Sequence, residues 1–384
     1  MLLNFTFSNY KSFKEEQFFF MERPESIDYK KDSIVVDAPK GVKEISRVAA
    51  FYGANAAGKS NFLDALLYIK WLVVGHKDIK NDCYISLKDA PSTFSISFIA
   101  KNNLKYDYYI SIQKNIVIEE KLSIYKTNQP TIVIYYSKED SIFTVGSMFA
   151  EDEKTAIRFN FEKNQNQPII RQLERSNSEE AKIAFDFFKN GIFINESSQF
   201  DVDMNPTKLA YTIETDEKIH NFLNETLSAA DLGIKAVNLV EAESGANEEQ
   251  QKILSKAFVD FAKAGNPKMS KEELKELGKT SSFANKIKKA VFEHEISGVK
   301  TNFEINRESD GTIAACGILL DLLPVLQAGS VYIVDELDRS LHPSIVAQII
   351  DVFNHSGTNP NDAQLFLLHM TFHCWTLLFT EKIY

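Results

Sequence analysis

The sequence predicts an α/β fold in which a sheet of mostly parallel strands carries a phosphate-binding loop, with an antiparallel β layer and a helical insertion added to it. Three observations predict this fold. A glycine-rich loop, Gly53 to Ser60, lies between a strand-like and a helix-like segment. Apolar and polar residues alternate from Phe94 onwards, as they do in half-buried strands. A short apolar run, Val331 to Val334, ends in two acidic residues and is typical of a buried parallel strand.

The glycine-rich loop has the complete pattern G-x-x-x-x-G-K-S. It follows an apolar run, Val48 to Tyr52, and opens a helical pattern, Asn61 to Leu72. Glycine lets backbone N–H groups turn towards a β-phosphate, and the helix adds the positive end of its dipole. Lys59 is expected to reach the β- and γ-phosphates, and the Ser60 hydroxyl to bind Mg²⁺. The pattern predicts a nucleoside triphosphate site formed by Gly53, Asn55, Ala56, Ala57, Gly58, Lys59, Ser60 and Asn61.

The middle of the chain divides by periodicity. Period-two segments, separated by the turn-forming pairs Asn102-Asn103 and Lys114-Asn115, predict an antiparallel β layer over residues 90–165. Helical spacing and many charged residues follow in Asp216 to Leu232, Asn247 to Ala264 and Ser270 to Glu295. The predicted regions are the first half of the core at 1–90, the β layer with a connecting segment at 91–212, a helical insertion at 213–299, and the second half of the core at 300–384.

Two acidic residues end the apolar run near residue 331. Asp335 is placed to hold Mg²⁺, and Glu336 to orient or deprotonate the water that attacks a γ-phosphate. Such a pair equally fits an ordinary strand end. The phosphate loop elsewhere in the chain favours the catalytic interpretation, because both motifs would lie at the carboxyl edge of one sheet.

A second helix start lies just upstream, at Glu308-Ser309-Asp310-Gly311-Thr312. Ser309 is a good N-cap, so this segment also fits an ordinary helix start. A serine hydroxyl and N–H groups at a helix N-terminus nevertheless form an anion site, and the chain already has one complete phosphate loop. The economical hypothesis is that this helix end caps the γ-phosphate bound to another copy, so that two copies enclose two ATP molecules.

Composition sets the outer limits. The formal charge is −10 and the pI about 5.4, which gives no overall basic surface for nucleic acid, although a local strip stays possible. Three widely separated cysteines suggest neither a disulfide framework nor a zinc site. The N-terminus does not resemble a signal peptide, and the apolar run Ala65 to Val74 is interrupted by Lys70. We expect a cytoplasmic protein without a membrane span.

Together, these motifs resemble the ABC-type ATPase heads of the SMC, RecF and OLD group, a resemblance that implies a P-loop NTPase of ABC-ATPase type. They are most similar to the OLD-like AAA ATPases of bacterial anti-phage systems, such as the ATPase subunits of PARIS and Septu. The opening Phe-Ser-Asn-Tyr-Lys-Ser-Phe also resembles the first strand of that group. The resemblance covers residues 1–75 and 300–370 and says little about the middle.

The resemblance also implies a role for single residues. Asp335 would be the metal carboxylate and Glu336 the general base. The remaining assignments are Ser309, Gly311 and Thr312 as the signature turn, Ser340 to His342 as the loop crossing the dimer interface, His369 as the switch histidine on the γ-phosphate, Lys11 as a basic residue near the nucleotide, and Gln199 as a weaker Mg²⁺-sensing candidate. Lys11 fits a solvated edge lysine equally well. After His369 the chain departs from the relatives, which suggests a truncated or divergent C-terminus.

We therefore expect an ATPase that uses ATP and Mg²⁺, closes as a nucleotide-sandwiched homodimer or higher homo-oligomer, and acts as a switch in anti-phage defence with a separate effector, a nuclease or toxin. Two alternatives stay open. The chain could be the ATPase subunit of an OLD- or RecF-like DNA repair or nuclease complex, or a sensor or scaffold with little hydrolysis. DNA is a possible partner that the net charge does not support, and no membrane partner is expected.

Overall fold

The computed structural model describes residues 1–22, 33–38, 41–51, 53, 54, 57–76, 79, 87–195, 206–229, 233–243, 286–296, 298–335, 337, 341 and 343–368. The chain forms two compact units, Met1–Gln199 with Asp321–Tyr384 and Phe200–Leu320. The strands are β1 (Leu2–Ser8), β2 (Gln17–Phe20), β3 (Ser33–Ala38), β4 (Gly41–Ser46), β5 (Val48–Ala50), β6 (Ser92–Ile99), β7 (Lys105–Gln113), β8 (Ile116–Tyr125), β9 (Pro130–Ser137), β10 (Ile142–Val145), β11 (Ile192–Asn195), β12 (Ile234–Glu243), β13 (Lys286–Ile296), β14 (Val299–Glu304), β15 (Val331–Asp335) and β16 (Gln364–Leu368). The α-helices are α1 (Lys59–Val74), α2 (Glu151–Lys163), α3 (Glu179–Asn190), α4 (Pro206–Thr215), α5 (Glu217–Ala229), α6 (Asp310–Ala328) and α7 (Pro343–Asn354), and short 3-10 helices cover Ile169–Arg175 and Ile305–Arg307.

The predicted antiparallel layer is a seven-stranded sheet in the order β10-β9-β8-β7-β6-β1-β2. Its hairpin turns contain left-handed residues at Asn103, Lys114 and Asn115, as the sequence pattern predicts. One expectation is wrong in detail: residues 151–163 form α2 instead of continuing the strands. β1 and β2, from the first predicted region, also join this layer. The polar first turn of α2, with three consecutive acidic residues, favours a helix start.

The parallel sheet has the order β11-β15-β16-β5. Every pair in it is parallel, so the carboxyl ends of its strands meet at one edge. β5 leads into the glycine-rich loop, and the Phe51 amide continues the ladder by donating to the Leu367 carbonyl at 2.7 Å. β15 ends at Asp335 and β16 at Leu368, which confirms the predicted arrangement of core strands.

Buried side chains join α1, the seven-stranded sheet and the parallel sheet of this unit. Gln364 on β16 is fully buried, and its amide bonds both backbone groups of Leu2 on β1, at 2.6 and 3.0 Å. Lys70 on α1 is also buried, and its ammonium donates to the carbonyl of Ile192 at the start of β11. Burial lowers the pKa of Lys70 to about 8. These contacts position α1, and with it the glycine-rich loop, against both sheets.

Glu120 on β8 is a buried carboxyl that serves the same unit. Its oxygens accept hydrogen bonds from the Ile169 and Ile170 amides at 2.6 and 2.9 Å and from the Tyr108 hydroxyl at 3.1 Å. It thereby caps the 3-10 helix Ile169–Arg175. Burial outweighs these donors and raises the pKa of Glu120 to about 7.

We expect this shift to make stability pH-dependent. Between the ordinary pKa of 4.5 and about 7, the folded chain holds a proton that the unfolded chain has released, so the free energy of unfolding falls as pH rises. The fall between about pH 6 and about pH 8 should be on the order of 1 kcal/mol, and Glu120→Gln should abolish that part of it. Urea unfolding of both proteins at the two pH values measures it. An equal fall in the two proteins would contradict the assignment.

The second unit contains α4, α5 and an antiparallel sheet in the order β12-β13-β14. The predicted helix Asp216 to Leu232 is confirmed over Glu217–Ala229. The helical prediction is wrong for residues 286–295, which lie in β13. The region predicted as a helical insertion also contains the strand β12. Valine, isoleucine and phenylalanine in β13 find partners on both neighbouring strands, and this long-range pairing overrides a lysine- and glutamate-rich local pattern. The predicted helix Asn247 to Ala264 lies outside the described residues, and the boundaries of the four predicted regions stay predictions.

One helix, α6, has the length and apolar composition of a membrane span. α6, with 19 residues and a mean hydropathy of 1.7, is long and apolar enough to cross a bilayer by length and composition alone. Half of the most apolar stretch of this helix is buried within the protein, and the core helix of a soluble protein can be equally long and apolar. α6 also contains Pro324. We therefore treat it as a core helix.

Candidate functional site

The glycine-rich loop ends where α1 begins. Gly58 is the N-cap residue of α1 and has a left-handed backbone with φ of 93°. A Cβ atom at this position would lie 2.8 Å from the Phe13 ring, so a side chain here would be strained twice, by the dihedral angle and by the contact. The first helical hydrogen bond of α1 joins the Phe62 amide to the Gly58 carbonyl at 2.9 Å. Glycine at this position therefore allows the loop to turn directly into the helix.

The side chain of Lys59 folds back over the loop. Its ammonium donates to the carbonyl oxygens of Gly53 at 2.6 Å and Ala54 at 3.0 Å, and so bridges the two ends of the loop. Ala57 closes a turn on the Ala54 carbonyl at 3.2 Å, and Ser60 is exposed on the first turn of α1. An ammonium, a hydroxyl and the amides of a helix start therefore meet at one place, which is the chemistry that binds a polyphosphate.

A turn between β1 and β2 covers this loop. Tyr10 and Phe13 exchange both backbone hydrogen bonds at 2.9 Å. The Ser12 hydroxyl accepts from the Asn61 amide at 2.8 Å, and the Phe13 ring contacts Gly58. The segment that opens the chain and the glycine-rich loop, about 40 residues later, are thus parts of one site, as in other strand-loop-helix units.

Asp64 on α1 was missed by the sequence analysis. One of its oxygens, Oδ2, accepts from the Tyr10 hydroxyl at 2.6 Å and pairs with the Lys11 ammonium at 2.5 Å. Asp64 lies three residues after Asn61, so the two side chains that hold the turn share a helix face. No local pattern in the sequence signals the contact with Tyr10, which lies 54 residues earlier in the chain. The Lys11 ammonium pairs with Asp64 on α1, and its role towards a nucleotide stays a prediction.

The acidic part of the site lies on the same sheet. Asp335 is the last residue of β15, and β16 separates β15 from the strand that leads into the loop. All three strands are parallel, so Asp335 and the glycine-rich loop lie on the same edge of the sheet. Several predicted site residues lie outside the described part of the chain: Asn55, Ala56, Gln199, Glu336, Ser340, His342 and His369.

The predicted signature turn lies in the second unit and begins α6. The Ser309 hydroxyl accepts from the Thr312 amide at 3.1 Å, and the Ser309 carbonyl accepts from the Ile313 amide at 3.0 Å. Ser309 also contacts the Thr312 hydroxyl at 3.0 Å. Thr312 is buried and Gly311 partly exposed, whereas Ser309 is exposed.

The donor set fits Mg²⁺ held jointly with a nucleotide. Mg²⁺ prefers hard oxygen ligands, keeps several waters and is commonly bound by one or two protein oxygens together with substrate phosphates. The Ser60 hydroxyl and the Asp335 carboxylate supply oxygens of this kind at the loop and at the strand end. Among the described residues, no group of three or more histidine, cysteine or acidic residues could hold a metal by itself. A protein-only metal site is thus not found in that part of the chain.

A family model described as "AAA domain, putative AbiEii toxin, Type IV TA system" matches residues 48–367. This match spans the glycine-rich loop, the signature turn and the acidic strand end. No curated protein sequence matches the chain.

Solved structures with a similar fold include two Smc heads and a recombination protein. An Smc head bound to the C-winged helix domain of ScpA is 12% identical with a TM-score of 0.38, covering 97% of this chain and 90% of that one. RecF with ATP, from the RecFOR pathway, is 10% identical with a TM-score of 0.37, covering 96% and 92%. The Pyrococcus furiosus Smc head with an extended coiled coil is 12% identical with a TM-score of 0.37, covering 96% and 89%. With scores this low, these likenesses carry no conclusion about function.

Proposed function

The chain belongs to the AAA domain family whose model it matches, and from this premise we propose that it binds and hydrolyses ATP and closes as a nucleotide-sandwiched dimer. The observation that carries the proposal is the shared carboxyl edge of the parallel sheet, where the glycine-rich loop follows β5 and Asp335 ends β15. Lys59 and Ser60 would bind the phosphates and the metal, and Glu336 would take the proton from the attacking water. Mg²⁺ at this edge would neutralise the charge of the β- and γ-phosphates.

The signature turn supports the dimeric form of the proposal. Ser309 is exposed at the start of a 19-residue helix, so its hydroxyl and the adjoining amides are available to a phosphate on another copy. A composite pocket of this kind needs one copy to contribute the loop around Lys59 and the other to contribute Ser309. Hydrolysis would then reopen the pair, which makes the cycle a switch.

Mixing two inactive variants tests the composite pocket. We expect Lys59→Ala and Ser309→Arg each to lack ATPase activity, because the first loses the phosphate ligand and the second obstructs the signature turn. In a mixed dimer, one pocket combines the intact loop of one copy with the intact turn of the other. Random pairing should restore about one quarter of the wild-type rate. Steady-state ATPase assays at several mixing ratios measure this.

The control for mixing is Lys59→Ala combined with Lys59→Met, which leaves no pocket intact in any pairing. This mixture should stay inactive. If the mixture of the loop and signature variants is as inactive as the control, the ATP-sandwiched dimer is wrong, and a site complete within one copy would replace it.

We also propose that the switch acts in defence against phage through a separate effector. The family description, which names a toxin of a toxin–antitoxin system, supports a role of this kind. The alternative of a DNA repair ATPase predicts a basic strip and DNA affinity that falls with salt, whereas the chain carries a net charge of −10. A sensor with little hydrolysis would bind ATP and show no activity in the mixing experiment.

A further inference from the structure

A histidine–glutamate pair lies directly behind the signature turn. The Nε2 atom of His294, on β13, is 2.9 Å from the Oε1 atom of Glu308, and Glu308 immediately precedes Ser309. Both side chains are largely withdrawn from solvent, with 19% of His294 and 7% of Glu308 exposed. The pair therefore joins a sheet of the second unit to the residue from which the signature turn starts.

The surroundings leave Glu308 dependent on this histidine. The edge of the Phe303 ring meets the imidazole at 5.2 Å between centroids. Burial, together with the Glu308 carboxylate, raises the pKa of the Cys316 thiol on α6 to about 12, so this thiol stays neutral. Two lysines of β13 and β14 pair with other carboxylates: Lys300 with Glu293 at 2.7 Å and Lys289 with Glu304 at 3.7 Å. The Glu308 carboxylate contacts the His294 imidazole instead.

The backbone between β14 and α6 links the position of Glu308 directly to the position of Ser309. Glu308 ends the 3-10 helix Ile305–Arg307, to which its amide is bonded at 3.1 Å, and it is extended, with φ of −79° and ψ of 161°. A single extended residue therefore connects the 3-10 helix to the N-cap of α6. Because the side chain of that residue is anchored inwards on β13, the next residue, Ser309, is directed outwards.

We propose that His294 is a positioning residue, which acts through Glu308 to fix the direction in which Ser309 and the first turn of α6 are presented to the γ-phosphate on a second copy. This inference rests on the proposed sandwich dimer and adds to it a residue far from the phosphate loop in sequence. A buried carboxylate that loses its hydrogen-bond partner is uncompensated and moves towards water. This movement frees Ser309, and a displacement of about 1 Å in a positioned group can cost about a hundredfold in rate.

The test compares variants at His294 with a matched histidine of the same unit. His220, whose Nε2 atom is 2.6 Å from the Val237 carbonyl oxygen, is the control. For His294→Leu we expect unchanged ATP affinity and an ATPase rate lower by about tenfold to a hundredfold. Amide hydrogen exchange at Thr312 and Ile313 should accelerate by about tenfold, because their acceptors on Ser309 are no longer held.

Further variants separate positioning from stability. His294→Gln keeps an N–H donor for Glu308 and should restore most of the ATPase rate. The double variant of His294→Leu with Glu308→Leu removes the charge together with its partner, so it should fold even if the single leucine variant does not, and its ATPase rate should stay low. His220→Leu should leave both the ATPase rate and the exchange at Thr312 as in the wild type.

The hydrogen-exchange measurement needs no nucleotide, so it distinguishes failure of the positioning role from failure of the proposed function. Unchanged exchange at Thr312 and Ile313 in the leucine variants overturns the positioning role, whatever the ATPase rates are. If the exchange accelerates while the wild type shows neither hydrolysis nor ATP-dependent dimers, the anchoring of Ser309 stands and the proposed function fails. If the rate of the double variant returns to that of the wild type, His294 acts through stability alone and the proposal is wrong.

Discussion

Replacement of Lys59 by alanine is expected to lower ATP affinity by about a hundredfold or more, equivalent to about 3 kcal/mol. The reason is the position of the Lys59 ammonium, which joins the end of the loop to its beginning by donating to the Gly53 and Ala54 carbonyls. Alanine would remove both the charge proposed to bind the phosphates and the hydrogen bonds that hold the loop in its turn. Titration of a fluorescent ATP analogue with the purified protein measures the affinity.

A matched lysine separates loss of this site from a general loss of charge. Lys189 on α3 is exposed and pairs with Glu174 at 2.6 Å on the outer surface. Lys189→Ala should bind ATP as the wild type does. Comparable thermal unfolding of the two alanine variants excludes a folding defect. If Lys59→Ala binds ATP within about twofold of the wild type, the glycine-rich loop is not the phosphate site.

The predictions from sequence succeeded where a local pattern determines the structure. The loop Gly53 to Ser60, with a strand before it and a helix after it, and the apolar run ending at Asp335 are each encoded within a few residues. Parallel pairing of β5, β15 and β16 then brings the two motifs to one edge, which the general rule for such sheets predicts. The placement of the main phosphate and metal candidates could therefore be read without coordinates.

The predictions that failed concern residues and strands whose structural contacts are with residues distant in the sequence. Asp64 contacts Tyr10 and Lys11 across more than 50 residues, and no local pattern specifies that pairing. β13 has the local sequence pattern of a polar helix, and it is a strand because β12 and β14 pair with it on both sides. His294 is ordinary in sequence, and its contact with Glu308 exists because that strand passes behind the signature turn. The residues that support a site are therefore the ones that depend most on contacts between distant parts of the sequence.

The second large effect is expected from Glu336→Gln, a change that keeps the size of the side chain and removes its ability to take a proton. Glu336 lies outside the described residues, and in the sequence it directly follows Asp335, the last residue of β15. Loss of a general base costs about a hundredfold to ten-thousandfold in rate. Binding does not need the base, because Lys59 and Ser60 of one copy and Ser309 of the other are unchanged.

We therefore expect the Glu336→Gln protein to accumulate as a dimer that retains ATP. Light scattering after gel filtration measures its mass with ATP and with ADP, and the nucleotide that remains after desalting is counted. Glu174→Gln, a change on the outer surface, is the control and should stay as active as the wild type. Adding Lys59→Ala or Ser309→Arg to Glu336→Gln should each prevent trapping, since closure needs both halves of the pocket. A Glu336→Gln protein that stays monomeric and releases ATP as fast as the wild type contradicts the closed dimer, because slowed hydrolysis leaves closure as the stable state of such a switch.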